Sequence, residues 1–219
     1  DGSFAKNPSS WDFPQINEER FRLPEARVAT WGGFVFINTD KNAPPLEEYL
    51  EGLPDHFKHR PLEDRYKSLH LAKVMPANWK VAIEAFMEAY HTPVAHPEMT
   101  HVVGDHNMQH DIFSRHISRD LCPMASPSPT SPLNLSEQDL LDRMLISDRS
   151  VVKEKRLVPE GKTARSVMAD FLRETMKQDY GLDYSDYSVP EMIDSIKYHV
   201  FPNIFVYSGV GRSEERRVG

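Results

Sequence analysis

Hydrophobic and polar positions first alternate in short runs and then switch to a helical period. Arg27-Val28-Ala29-Thr30-Trp31 and Phe34-Val35-Phe36-Ile37-Asn38 are rich in β-branched and aromatic residues and flank Gly32-Gly33. Two such runs about a glycine pair predict a β-hairpin, with a bulge in one long strand as the alternative. Pro44-Pro45 ends this region, and residues 46–53 read as a short helix closed at Gly52. Residues 66–74 alternate and predict a third strand, stopped by Pro76. Asn78 then caps a helix running to about Tyr90. Trp79, Ile83, Phe86 and Tyr90 recur on it at i, i+4, i+7 and i+11, a stripe expected to be core.

Residues 107–121 read as strand, with Ile112, Phe113 and Ile117 buried, and the proline-serine stretch 122–132 as loop. Ser136-Glu137-Gln138-Asp139 has capping-box spacing and opens a helix carrying Leu140, Leu141, Met144 and Leu145 on one side. Another helix runs from about Thr163 to Tyr180, packs Val167, Phe171 and Leu172, and stops at Gly181. Pro190 starts a helical turn, and residues 196–207 read as strand interrupted at Pro202-Asn203. Strands among long helices without a βαβ rhythm predict an α+β fold with an antiparallel sheet. Residues 1–24, spaced by Pro8, Pro14 and Pro24, read as an irregular connector.

Composition narrows the function classes. The chain has 219 residues, 39% of them hydrophobic and 27% charged, which suits globular structure. Its 33 acidic residues outnumber 26 Lys and Arg, for a net charge of −7, so no basic nucleic-acid face is expected. The longest apolar run, residues 31–37, is far short of a membrane span. The single Cys122 excludes an internal disulfide framework and a cysteine cluster held by this chain. With no secretory segment at its front, the expected setting is cytoplasmic and reducing.

Candidate chemistry gathers in residues 78–98. On a helix, Glu84, Glu88 and His91 share one side, nearly opposite the apolar stripe, and on a generic helix such a side is simply solvated. Here its flank carries Ala85 and Met87 instead of lysines, and the helix runs into Thr92-Pro93 with a histidine on either side. On a continuous helix, residues five apart diverge by roughly 140°. A break at Pro93 can bring His91 and His96 to one point. Two neutral imidazoles and a carboxylate on one side of an ion form the facial site of non-haem Fe(II) that binds both O2 and substrate. The bare His-x4-His spacing is weak in a chain with ten histidines. His101 and His106 continue the spacing and read as solvated loop residues, and His199 as a satisfied core histidine.

The order and spacing of Trp31-Gly32-Gly33-Phe34-Val35-Phe36-Ile37-Asn38, Asn78-Trp79-Lys80, Glu84-Ala85-Phe86, Glu88-Ala89-Tyr90-His91, His96-Pro97 and Tyr198-His199-Val200-Phe201-Pro202-Asn203 resemble the catalytic domain of Rieske-type aromatic-ring-hydroxylating oxygenase α subunits. The resemblance implies a helix-grip (START-like) α+β domain binding one mononuclear Fe(II). His91 and His96 fall on its two histidine ligands. Glu88 falls on the family's acidic residue, most often Asp, that hydrogen-bonds a histidine of a neighbouring subunit's [2Fe-2S] cluster and bridges electron flow. Phe86, Met87 and Phe201 are candidates for the substrate pocket. The resemblance further implies a mono- or dioxygenase taking O2 and an apolar, aromatic substrate, fed by a ferredoxin or reductase, in a homotrimer or an α3β3 assembly.

Three departures accompany it. The paired Cys-x-His and Cys-x2-His of the cluster domain are absent, so [2Fe-2S] is not expected to bind to this chain, and residues 1–24 read as the connector that follows such a domain. The family's third ligand, an Asp, follows the Phe-Pro-Asn strand at a distance this chain does not reach. Residues 25–211 thus read as a catalytic domain truncated at both ends, and residues 212–219 as a non-native, adapter-like tail. Two other classes are open at this stage. One is a non-catalytic helix-grip domain binding a ligand or lipid; the other is a metal-dependent hydrolase with Glu88 as base.

Overall fold

The computed structural model of the chain describes residues 2–65, 70–147 and 155–207. They fall into two compact units, residues 1–51 and 52–219. In the first, α1 (Glu18–Phe21) precedes a hairpin of β1 (Arg27–Trp31) and β2 (Phe34–Asn38), paired antiparallel from Arg27↔Asn38 to Trp31↔Phe34. Gly32 and Gly33 both have positive φ, 60° and 78°, as a two-residue turn matched to strand twist requires. The glycine pair is therefore a turn and not a bulge. The guanidinium of Arg27 donates to the Ala43 carbonyl and ties the strand to the proline segment. The helix expected over residues 46–53 is two helices, α2 (Leu46–Leu50) and α3 (Leu53–His56). Glu51 takes a positive φ of 46° between them and closes the first.

In the second unit, α4 (Trp79–Glu84) and α5 (Thr92–Ala95) precede a four-stranded antiparallel sheet of order β3-β4-β5-β6. Its strands are β3 (Gln109–Ile112), β4 (Ile117–Cys122), β5 (Ser195–Val200) and β6 (Ile204–Tyr207). Between β4 and β5 come α6 (Glu137–Ser147), α7 (Ala164–Tyr180) and α8 (Val189–Ile193). The sequence marks these helices clearly. Ser136 and Asp139 exchange the capping hydrogen bonds that open α6. Thr163 caps α7, and Gly181 ends it in the left-handed region. Leu140, Leu141, Met144 and Leu145 of α6 pack with Met168, Phe171, Leu172 and Met176 of α7 and Met192 of α8 as one buried core.

That core is joined to the sheet by an ion pair whose carboxylate is buried and whose guanidinium is partly exposed. Arg165 of α7 makes a two-pronged contact with Asp194, at 2.8 and 3.0 Å, and also donates to the Met124 carbonyl. Asp194 in turn accepts the Met124 N–H at 3.0 Å. Thus the residue before β5, the chain after β4 and the first turn of α7 share one polar knot.

Two strand expectations change. Residues 107–121 form a hairpin, because Ser114 Oγ accepts the N–H groups of His116 and Ile117 and turns the chain. Ile117 is buried, but Ile112 lies on the edge strand and is 85% exposed, and Phe113 at the turn is also exposed. Of the strand expected over residues 66–74, positions 66–69 lie outside the described residues, and positions 70–74 form no strand.

Candidate active site

α4 begins as the sequence implies, with the Asn78 side chain accepting the Lys80 N–H at 2.9 Å. It does not reach Tyr90. After Glu84 the chain tightens, with Phe86 N–H bonding Ile83 O and Met87 N–H bonding Glu84 O, three residues back. The next break is made by a side chain: Glu88 Oε2 accepts the backbone N–H of His91 at 3.2 Å, in place of the carbonyl a helix would supply. Pro93 then sits in the first turn of α5, where its missing N–H costs nothing.

The stripe expected as core is consequently spread out. Tyr90 is 92% exposed and Phe86 52% exposed, with Trp79 about half exposed. Partial cover comes from aromatic partners on the sheet. Trp79 meets Phe201 at 6.2 Å between ring centres, and Phe86 meets Phe205 at 5.5 Å. Phe205 contacts Tyr207, and Phe201 contacts His199. The pocket candidates Phe86 and Phe201 are thus part of one open aromatic wall between α4 and the β5–β6 turn. Met87 is half-buried in the turn that follows α4.

His91 and His96 flank the single turn of α5 at its two ends. His96 leaves the helix with φ −135° and ψ 55°, so its ring is not carried round at helical pitch. The two ring centres come within 5.5 Å, with planes at 80°. Glu88 Oε1 lies 2.5 Å from His91 Nδ1. Partial burial opposes the charged form of Glu88, but the hydrogen bonds from the His91 ring and backbone outweigh it and hold the carboxyl below its ordinary value. Two imidazoles so disposed can share one divalent ion. No group of three or more His, Cys, Asp or Glu side chains able to hold a metal occurs among the described residues. His101 instead bonds Ser131 Oγ at 2.9 Å.

One polar row on the sheet had no signal in the sequence. His110, Asp120 and Lys197 are direct cross-strand neighbours on β3, β4 and β5. Asp120 Oδ1 lies 3.0 Å from His110 Nδ1, and Oδ2 lies 2.5 Å from Lys197 Nζ. These residues are far apart in sequence and meet only through strand register. His199, two residues along β5, is not the satisfied core histidine expected, since its buried Nε2 has no hydrogen-bond partner among the described residues. An open cleft of about 830 Å³, lined by parts of residues 59–65 and 182–191, includes neither His91 nor His96.

The comparisons bear on this region. Among curated proteins, the chain is similar to the carnitine monooxygenase oxygenase subunit of Acinetobacter baumannii, 31% identical over 99 residues, which is 44% of this chain and 27% of that protein. It is also similar to the chlorobenzene dioxygenase subunit alpha of a Cupriavidus species, 37% identical over 84 residues, 36% of this chain and 19% of that one. Among solved structures, the quaternary ammonium Rieske monooxygenase CntA in complex with an inhibitor matches at 27% identity and a TM-score of 0.46, covering 57% of this chain and 35% of that one. The chain spans about a quarter of the length of the carnitine monooxygenase subunits it matches. No described helix is long and apolar enough to cross a membrane. The family model for the ring hydroxylating alpha subunit catalytic domain matches residues 59–212, well over half of the chain. This stretch contains both histidines, Glu88 and the whole four-stranded sheet, and the chain belongs to that family.

Proposed function

We propose that the chain is the catalytic part of an oxygenase of helix-grip architecture, which inserts oxygen from O2 into an apolar substrate. The observation that carries this reading is the pairing of His91 and His96 across the α5 turn, with Glu88 seated behind His91. Two imidazoles sharing one ion at ~2.1 Å would have ring centres roughly 5 Å apart, close to the separation found. His91 and His96 would hold Fe(II), with an Asp outside this chain as third ligand. Bound there, Fe(II) supplies O2 activation.

The chain's own residues do the rest. Glu88 engages Nδ1 of His91, which fixes the tautomer and offers Nε2 outward. In this reading the same carboxylate would also bridge electron flow from a [2Fe-2S] cluster carried by a neighbouring subunit of a homotrimer or α3β3 assembly, itself reduced by a ferredoxin or reductase. Its commitment to His91 disfavours the hydrolase reading, which needs it as a free base. The wall of Trp79, Phe86, Phe201 and Phe205 offers ring faces to an apolar substrate.

An aromatic wall accepts a flat hydrocarbon by stacking, and equally a quaternary ammonium group through its ring faces. The relatives' names favour considering both, carnitine for one and chlorobenzene for the other. The test uses the whole oxygenase, reconstituted anaerobically with iron and supplied with a reductant. One iron per site, lost in His91→Ala and His96→Ala, together with substrate-dependent oxygen incorporation, is the expected result. Iron binding that survives both substitutions overturns the assignment, and a substrate panel separates aromatic from quaternary ammonium compounds.

A further inference from the structure

His91 and His96 are held differently. Glu88 Oε1 engages the ring of His91, whereas His96 is exposed and its ring makes no hydrogen bond among the described residues. A histidine that ligates a metal is normally oriented by a partner on its other ring nitrogen. Without one, the main chain has to set where the His96 ring points. The His96 N–H donates to Thr92 O at 2.9 Å, and the His96 carbonyl accepts the Met99 N–H at 2.9 Å. Of residues 91–100, only Thr92 and Thr100 are buried, at 7% and 4% exposure. The exposed turn that carries His96 is therefore anchored at its two ends.

Thr100 joins that turn to the rest of the unit. Its Oγ1 donates to the carbonyl of Pro97, next to His96, at 2.6 Å. A threonine bonding a carbonyl three residues back is by itself only a local feature of a helical turn. Here the carbonyl of the same residue also accepts the N–H of Ser128 at 2.8 Å, from the loop that follows β4. The pairing continues away from His96. Ser126 N–H donates to Val102 O at 3.2 Å, Gly104 N–H donates to Pro123 O at 3.0 Å, and Val103 bridges Met124. A Cβ on Gly104 would lie 3.0 Å from Ser126 Oγ, so glycine is what allows the two segments to approach. Met124 in turn belongs to the knot of Arg165 and Asp194. This staple runs from the knot to Thr100, which is its last member before the histidine.

We propose that Thr100 is a positioning residue for His96. It carries the placement of the staple to the carbonyl beside the histidine, and so holds the imidazole where an ion shared with His91 needs it. The proposal rests on the oxygenase reading, which makes His96 an iron ligand. Coupling between two sites is reciprocal. If a closed staple favours iron at His96, then iron at His96 tightens the staple by the same factor.

The experiment uses the whole oxygenase. Thr100→Val keeps the buried branched shape and removes the hydroxyl. Its Fe(II) affinity in anaerobic titration is expected to fall about 10-fold, the lower end of the loss for a group that orients a ligand. Thr100→Ser, which restores the hydroxyl, is expected to regain most of that affinity. The visible spectrum of bound Co(II), which reports ligand geometry, is expected to shift in Thr100→Val and to return in Thr100→Ser. A Thr100 that only stabilises the fold predicts a lower urea midpoint with unchanged metal affinity and spectrum, and that result overturns the proposal. A further readout needs no variant to fold. In the wild type, Fe(II) is expected to slow hydrogen exchange at the Ser128 N–H about 10-fold, by the reciprocity above, as followed by mass spectrometry. Exchange indifferent to iron overturns the proposal. A wild type that binds no Fe(II) refutes the oxygenase reading and this proposal with it, whereas tight Fe(II) with no response at Ser128 refutes the proposal alone.

Discussion

One carboxylate holds His91 at two places: Glu88 Oε1 lies 2.5 Å from the ring Nδ1, and Oε2 accepts the backbone N–H at 3.2 Å. The ring is thereby oriented by the same group that ends the helical run before it. Glu88→Ala is expected to release the ring and weaken iron binding by about 10–100-fold, as loss of a partner behind a ligating histidine does. Glu88→Gln, which keeps an acceptor oxygen for Nδ1–H, is expected to lose less. Anaerobic iron titration of both variants measures this, and equal affinity in Glu88→Ala and wild type would falsify the positioning role.

The 219-residue chain by itself is expected to bind iron weakly and to form no product with a chemical reductant. Two imidazoles bring no charge to offset the ion's desolvation, and the nearest carboxylate at helical spacing is spent on His91. Tight, near-stoichiometric iron together with repeated turnover is the opposing outcome, and would place a third ligand within the chain.

Asp194→Ala is expected to destabilise the fold by about 3 kcal/mol or more, because it strands the Arg165 guanidinium and the Met124 N–H in a largely buried knot. Replacing Asp183, exposed on the surface beside Lys177, is expected to change little, since exposed pairs contribute little. Urea denaturation of the two variants provides the comparison. Equal midpoints would show that the knot does not contribute to stability.

Acid sensitivity should have a component from His56. Burial, and then the Arg119 charge, lower its pKa below the ordinary 6.5, and its Nδ1 meets the Tyr198 hydroxyl at 3.0 Å. The unfolded chain therefore takes up this proton before the folded one. Stability is unaffected above the unfolded value and falls as pH drops from about 6.5 towards the depressed folded value. His56→Gln is expected to flatten that part of the curve. Denaturation midpoints between pH 7.5 and 5 measure the slope, and identical slopes in variant and wild type refute it.

What could be read from the sequence follows a physical line. Elements fixed by local chemistry were legible. Gly32-Gly33 turns a hairpin, Ser136 and Thr163 cap helices, and Gly181 ends α7 because no neighbour has to help. The two histidines were legible as a spaced pair, but the break expected at Thr92-Pro93 lies earlier, where Glu88 captures the His91 N–H, and Thr92–Ala95 is itself helical. The fate of the Trp79–Tyr90 stripe was not legible. Its period is helical, but a side chain three residues before His91 captures a backbone N–H, and no periodicity reports that competition. Ile112 and Phe113 failed differently: Ser114 turns the chain beside them, and their exposure depends on which strand lies at the edge. The His110–Asp120–Lys197 row was invisible because it exists only through register between strands 77 residues apart at Asp120 and Lys197.

The contact between Trp79 and Phe201 also gives this molecule an optical handle. Of the three tryptophans, Trp11 and Trp31 belong to the first unit, so Trp79 is the sole indole in residues 52–219. It stands half in solvent, against the phenyl ring of a residue in the β5–β6 turn. Removing the other two by Trp11→Phe and Trp31→Phe leaves a single emitter on the aromatic wall. Its emission maximum and its accessibility to a soluble quencher then register occupancy of that wall directly, without reductant, oxygen or product analysis.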